Sequence, residues 1–463
     1  VRLLEQCGVP GAMDLMLSGR TVVPKVAKRM GFIDQAVPMR QLRRTVDFVL
    51  SKKPPVRRAT GWKKWLNSGL SRGLMANVLQ KKVAKRASKE NYPAPFAVIQ
   101  LWKDFGGDRN LMLREEQRSV CKLVTTPTSR NLVKVFFLQE HMKSLGKTDS
   151  SEEKFKRLHV VGAGVMGGDI ASWGALKGLD VTIQDNNPEA LARASNRAYE
   201  LFKKKLKDPR LVQRAMDRFQ PDTDGTGAKR ADVIIEAIFE NAEAKSGLFQ
   251  ELEKIARPDA ILASNTSSIP IETLSKALQT PSRMVGLHFF NPVAKMQLVE
   301  IVNGEETDPE VSKRATQFAN QIGRLPLPVK SSPGFLVNRI LMPYLMEAVE
   351  MHKEGVPDAV IDKVATNFGM PMGPITLADT VGLDICKNVA ANLNESFGGE
   401  MPEALLKKVE AGHLGKKSGK GFYTWEKGKP QKAKPDNDYQ TASDLEDRMV
   451  FRFLNETVAL HPG

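Results

Sequence analysis

The segment Leu158-His-Val-Val-Gly162-Ala-Gly164-Val165-Met166-Gly167 is an apolar run that leads into the spacing G-x-G-x-x-G. That spacing suits phosphate binding. Gly162 permits a tight turn, Gly164 lets the backbone approach a pyrophosphate, and Gly167 lets a helix pack closely on the preceding strand. The helix opening at Val165 and Met166 adds N–H groups and a partial positive charge. A second apolar run ends at Asp185, 23 residues after Gly162. A carboxylate there can accept both hydroxyls of an adenine ribose and repels a 2′-phosphate. With no Arg directly following, NAD is expected over NADP. These features alone leave FAD open, and Asp185 also reads as a loop acid that caps the next helix.

Proton chemistry points elsewhere in the chain. His288, one of six histidines, stands at the end of an apolar strand in Gly286-Leu-His-Phe-Phe-Asn-Pro292. Glu300 interrupts the apolar run Leu298-Val-Glu-Ile-Val302, twelve residues on. A buried carboxylate needs a partner, and an imidazole is the obvious one. The carboxylate would orient the ring and stabilise its charged form. On spacing alone a structural His bonded to backbone fits as well. Ser264-Asn-Thr-Ser-Ser268 ends another apolar strand, where it can bond a substrate or cap a helix; Asn338 lies on an apolar helix, where a helix–helix hydrogen bond is the plain reading.

Alternation of elements would position these groups. Strands are expected at 157–161, 181–184, 233–237, 261–264, 284–287 and 297–302, with helices at 165–178, 188–206, 241–256 and 308–322 between some of them. This is the pattern of a mostly parallel sheet covered on both faces. After Pro333 strands vanish and helices dominate at 335–354, 357–368 and 382–395. Lys427–Asp438 reads as a polar linker to a last helix at 442–460. Ahead of the sheet, residues 1–50 read as short helices ending at a strand-like edge. A helix from Thr60 steps Trp62, Trp65, Leu66, Leu70, Leu74, Val78 and Leu79 along one face, beside Lys63, Lys64, Lys81 and Lys82. That face is either core or membrane interface. One more helix, about 110–143, leads to the polar linker Gly146–Lys154.

Composition closes off other classes. The 463 residues carry three cysteines far apart (Cys7, Cys121, Cys386), which give neither a disulfide scaffold nor a zinc spacing. No apolar run is long enough to span a membrane as a helix. The net charge of +16 sits in residues 1–150, with 29 Lys and Arg against 11 Asp and Glu. Such a block can meet an anionic membrane, an acidic subunit, nucleic acid or a phosphorylated ligand, or be a solvated helix surface. No G-x-S-x-G nucleophile motif is present, and no RNA-binding module signature accompanies the basic block, so nucleic acid is not expected as a partner.

Taken together, Gly162–Gly167, Glu236-Ala-Ile-Phe-Glu240, Ser264–Ser268, His288–Pro292, Gly334–Arg339, Gly373-Pro374 with Asp379 and Gly382-Leu-Asp384, and Gly419-Lys-Gly-Phe-Tyr423 stand in the order of the L-3-hydroxyacyl-CoA dehydrogenase family, which the chain strongly resembles. The flanks resemble the multifunctional β-oxidation enzymes, the α-subunits of the trifunctional complex. Val1–Pro38, with Met16-Leu-Ser-Gly-Arg20 and Met30-Gly-Phe-Ile-Asp34, is similar to the tail of their crotonase-fold hydratase.

The resemblance implies a Rossmann-type dinucleotide-binding domain followed by an all-α 3-hydroxyacyl-CoA dehydrogenase C-terminal domain, with a mostly helical remnant of a crotonase-fold hydratase in front. The implied division is 1–55 hydratase remnant, 56–153 basic helical linker region, 154–330 NAD-binding domain, 331–428 helical domain, and 429–463 linker and start of a second helical domain. It implies NAD-linked oxidation of L-3-hydroxyacyl-CoA to 3-ketoacyl-CoA. His288 would be the general base and Glu300 its support, while Ser267 and Asn338 would bond the substrate. Gly162, Gly164, Val165, Met166, Gly167, Asp185, Glu240, Lys245 and Asn265 would hold NAD.

Hydration of enoyl-CoA is not expected, because the family's hydratase glutamates have no counterpart here. The chain reads as a piece truncated at both ends, with apolar surface on 335–395 favouring self-association. Candidate partners besides acyl-CoA are a thiolase β-subunit docked through the basic N-terminal third and a peripheral membrane surface. The expected compartment is the bacterial cytoplasm, with the mitochondrial matrix the alternative.

Overall fold

A computed structural model describes residues 1–55, 58–147, 154–398, 400–433 and 439–460. The linker expected around 146–154 and the division expected after residue 55 fall on segments partly outside the described residues. The chain forms two compact units, Val1–Leu138 and Gln139–Gly463.

The first unit packs Leu4, Val9, Ala12, Met13, Ala76, Ile99, Trp102 and Met112 into one core. Fully buried Trp102 keeps its indole N–H satisfied, donating to Asn67 Oδ1 at 2.7 Å. Among its described residues there is no strand, so the strand-like edge expected within residues 1–50 is instead turn and helix. Of the stripe beginning at Trp62, only Leu66 and Leu79 pack against the core. Trp62, Trp65, Leu70, Leu74 and Val78 are all exposed. The cause is a break in the helix. One short helix covers Trp62–Trp65, and Asn67 then turns its side chain to the Gly106 carbonyl and to Trp102. A new helix, Gly69–Ala84, starts in a different phase and buries Ser71 and Ala76. The single helix expected over 110–143 is likewise two, Arg109–Val124 and Pro127–Leu145. Pro127 disfavours helical geometry in the residue before it and fits a first-turn position.

The second unit is built on an eight-stranded sheet. Its strands are β1 (Arg157–Val161), β2 (Asp180–Gln184), β3 (Phe219–Asp222), β4 (Val233–Glu236), β5 (Ile261–Ser264), β6 (Met284–Phe289), β7 (Leu298–Asn303) and β8 (Leu325–Lys330). The order is β3-β2-β1-β4-β5-β6-β7-β8, parallel as far as β6 and then antiparallel from β6 to β7. Chain order reverses direction at β1, between β2 and β4, so a crevice opens at the carboxyl ends of β1 and β4. Helices Val165–Leu176 and Pro188–Leu206 pack on the sheet through Ile170, Ala171, Leu191, Ala194, Ala198 and Phe202.

β3 and β8 were not legible as strands. Phe-Gln-Pro-Asp and Leu-Pro-Leu-Pro-Val-Lys carry prolines, which break an inner ladder. Both strands lie at sheet edges. Leu325 donates its N–H inward to the Gln297 carbonyl, so alternation turns the donorless nitrogens of Pro326 and Pro328 away from β7.

Beyond Pro333 the chain folds as helices Val337–Lys353, Asp358–Phe368, Pro374–Val381, Leu383–Phe397 and Glu403–Glu410. Strands do not vanish entirely: Thr424–Glu426 pairs antiparallel with Lys429–Gln431, inside the segment expected to begin a linker. Two buried carboxylates fasten this hairpin. Asp379 accepts from the N–H groups of Phe422 and Tyr423 and from Trp425 Nε1, and Asp362 accepts from Tyr423 Oη and Lys432 Nζ. Helix Leu445–Ala459 packs on Val337–Lys353, with Arg448 and Arg452 paired to buried Glu347. Phe368, Val381 and Ile385 remain exposed.

Candidate active site

The glycine spacing acts through close contact. Gly162 has φ 105, and a Cβ there would stand 2.5 Å from the Ala237 carbonyl oxygen at the end of β4. A Cβ on Gly167 would stand 1.9 Å from the Gly162 oxygen, so nothing larger lets the helix reach the strand. At Gly164 a Cβ would meet nothing within 4 Å. The protein's own packing therefore gives no reason for glycine at 164, whereas a ligand seated on the helix N-terminus does. Val165 is exposed beside it and Met166 is tucked against the core. Asp185, just past β2, accepts from Ala163 N at 2.7 Å and from Asn187 N at 2.8 Å. Each carboxylate oxygen keeps a further lone pair for a hydroxyl. These features fit a dinucleotide with an unphosphorylated ribose.

Across the crevice the ends of β4 and β5 share a buried ionic network. Glu236 is fully buried and accepts from Ile238 N, Lys245 Nζ at 2.7 Å and Ser264 Oγ at 2.6 Å. Lys245 also reaches Glu240 at 3.0 Å. Glu240 in turn accepts from Thr266 Oγ1, Ser267 N and Ser268 Oγ. Burial pushes the Glu240 carboxyl upward, but the Lys245 ammonium and these donors outweigh it and hold the group below the usual carboxylate range. Lys245, expected as a direct NAD contact, is itself buried, with its charge spent on two carboxylates. Sequence reasoning gives Glu236 no role of its own, although it carries the same signal as Glu300, an acid in an otherwise apolar strand.

The His288–Glu300 pair lies two strands further on. Antiparallel pairing sets His288 directly opposite Glu300, which explains the twelve-residue spacing. His288 Nδ1 lies 2.6 Å from Glu300 Oε2. Nε2 has no protein partner among the described residues. The Phe290 and Phe335 rings flank the imidazole, with centroids 4.5 and 5.6 Å away. Glu300 is fully buried, and its other oxygen accepts from Leu336 N and Val337 N at 3.0 and 2.9 Å, where the first helix of the helical domain begins. Phe335, just before those donors, has a left-handed φ of 51 and is buried. Bulky residues hold that conformation only where their surroundings enforce it.

Asn338 follows directly and donates to the Ser267 carbonyl at 3.3 Å, which joins the helical domain to the loop after β5. Asn265 does not face outward through its oxygen: Oδ1 accepts from Phe289 N at 2.9 Å, tying β5 to the residue after His288. One continuous set of contacts thus links His288, Glu300, Asn338, Ser267 and Glu240.

Sequence and structure comparisons agree with this geometry. Residues 157–332 match the family described as 3-hydroxyacyl-CoA dehydrogenase, NAD binding domain, and residues 334–425 match its C-terminal domain. The chain belongs to the 3-hydroxyacyl-CoA dehydrogenase family. It is 33% identical, over 99% of its length and 68% of the relative's, to the fatty acid oxidation complex subunit alpha of Shewanella amazonensis. Among solved structures, FadB2 of M. tuberculosis is 38% identical, with TM-score 0.57, covering 59% of this chain and 100% of that one. The 3-hydroxybutyryl-CoA dehydrogenase of Escherichia coli is 33% identical with TM-score 0.58, covering 63% of each chain. The cofactor of this dehydrogenase is NAD, and its reaction is the oxidation of 3-hydroxyacyl-CoA in fatty-acid β-oxidation. The Shewanella relatives are bacterial proteins.

Proposed function

We propose that His288 is the general base of this dehydrogenase and Glu300 its positioning partner. The observation that carries the assignment is the 2.6 Å contact from Nδ1 to a buried carboxylate, with Nε2 left for substrate. Glu300 keeps the proton on Nδ1, so Nε2 presents a lone pair that can accept the C3 hydroxyl proton. The imidazolium that results is stabilised by the adjacent carboxylate. Bound NAD supplies the hydride acceptor.

Ser267 and Asn338 bond and orient the reacting substrate, Asn338 also holding the Ser267 loop in place. Positioning of this kind contributes about 7–11 kcal/mol in favourable cases. Gly162, Gly164, Val165, Met166 and Gly167 cradle the pyrophosphate, Asp185 takes the adenine ribose, and Glu240 and Asn265 line the approach, with Lys245 supporting Glu240. The acyl-CoA enters between the sheet and the helical domain. Asp185→Ala is expected to weaken NADH by about 10–100-fold through loss of charge-assisted hydrogen bonds, with acetoacetyl-CoA affinity nearly unchanged. Fluorescence titration of both ligands checks this, and equal loss of the two would point to unfolding instead.

Residues 1–55, which share a core with Ala76, Ile99, Trp102 and Met112, are read as derived from a crotonase-fold hydratase. Exposed Phe368, Val381 and Ile385 support self-association. A second reading rests on the exposed Trp62, Trp65, Leu70, Leu74 and Val78 beside Lys63 and Lys64. Tryptophans among lysines suit an anionic membrane surface, with a thiolase-type β-subunit the competing occupant. Phosphatidylglycerol vesicles are expected to sediment the protein at low salt and release it at high salt, and Trp62→Ala with Trp65→Ala is expected to abolish binding. No sedimentation at low salt would leave the protein partner as the occupant.

A further inference from the structure

Arg197 projects from helix Pro188–Leu206 onto the first turn of the helix that follows the glycine loop. Its Nη2 donates to the Gly164 carbonyl at 2.8 Å, the same oxygen that accepts the Gly168 N–H within the helix. The guanidinium occupies the place a side chain on residue 168 would need, since a Cβ there would stand 2.4 Å from Nη2. This placement has an electrostatic difficulty. The first turn of a helix carries about half a positive charge, which disfavours a cation beside it. The only carboxylate paired with Arg197 among the described residues is Asp169, at 3.8 Å and too long for a hydrogen bond. The guanidinium Nε is buried with no hydrogen-bond partner. Burial meanwhile pushes the Asp169 carboxyl upward, only partly opposed by Arg197. Two positive sources thus converge on one loop with one distant, incompletely stabilised counter-charge.

We infer that Arg197 is a cofactor-positioning residue. It pins the Gly164 carbonyl and adds a cationic field beneath the glycine loop that is matched when the cofactor's pyrophosphate binds above it. The inference rests on the proposed seating of NAD at Gly162–Gly167 and adds to it a residue from a different helix. It also accounts for Gly168, which the glycine spacing alone does not require.

The test uses the full chain. NADH affinity of wild type, Arg197→Ala and Arg197→Lys is measured by fluorescence titration at low and high NaCl, and adenosine, which lacks phosphate, is measured by competition. Arg197→Ala is expected to weaken NADH about tenfold at low salt, less at high salt, because the contribution is partly exposed charge. Adenosine affinity should be unchanged, and Arg197→Lys should recover much of the loss. Equal weakening of NADH and adenosine would overturn the inference and make Arg197 a structural brace. Wild-type affinity in Arg197→Ala would overturn it as well. Failure of the wild-type chain to bind NADH would instead strike the cofactor seating itself, and the inference would fall with it.

Discussion

His288→Gln is expected to lower NADH oxidation with acetoacetyl-CoA by about 10²–10⁴-fold, the usual worth of a positioned acid or base, while NADH binding stays nearly intact. In this direction the same nitrogen works in reverse, with protonated Nε2 donating to the forming C3 alkoxide. Gln occupies much of the imidazole volume and can still reach Glu300, so the packing between Phe290 and Phe335 should survive. It has no group that exchanges a proton near neutral pH. Stopped-flow NADH absorbance and a parallel NADH titration separate the chemical step from binding. Turnover near the wild-type rate would mean that another group moves the proton.

Glu300→Gln is expected to come close to the same loss, for a reason that lies in the helical domain. The N–H groups of Leu336 and Val337 point at one oxygen of the side chain. In the amide they retain the carbonyl oxygen and turn the NH2 group toward His288 Nδ1. A donor at Nδ1 forces the ring proton onto Nε2, which removes the lone pair that accepts the substrate proton. The loss should fall within about 10²–10⁴-fold and appear in kcat for oxidation of 3-hydroxybutyryl-CoA by NAD, with KM for 3-hydroxybutyryl-CoA little changed. The ring 15N shifts should report the exchanged tautomer. A wild-type tautomer together with full activity would remove Glu300 from the mechanism.

The site was more legible in the sequence than the surfaces around it. A glycine loop is a local device: its spacing is fixed by a turn, a helix terminus and one strand contact, so ten consecutive residues display it. His288 and Glu300 were readable because a polar residue inside an apolar strand announces a partner, and β6 and β7 are consecutive. Lys245 was harder. Its position suggested a ligand contact, whereas the deciding neighbour, Glu236, is another buried group. The two edge strands hid behind prolines that only an edge tolerates, a property of the sheet order rather than of the segments. The stripe at 62–79 failed for a similar reason, since the hydrogen bonds from Asn67 to Gly106 and Trp102 break the helical phase across nearly forty residues of chain. Arg197 had no sequence signal at all, because its role depends on how two helices pack.

The most direct measurement is NADH oxidation by the 463-residue chain with acetoacetyl-CoA, run beside NADPH. Turnover with NADH that falls away with NADPH and vanishes in His288→Gln is the predicted result. Firm NADH binding without turnover, or turnover that His288→Gln leaves untouched, would contradict the assignment of His288 as the residue that moves the proton.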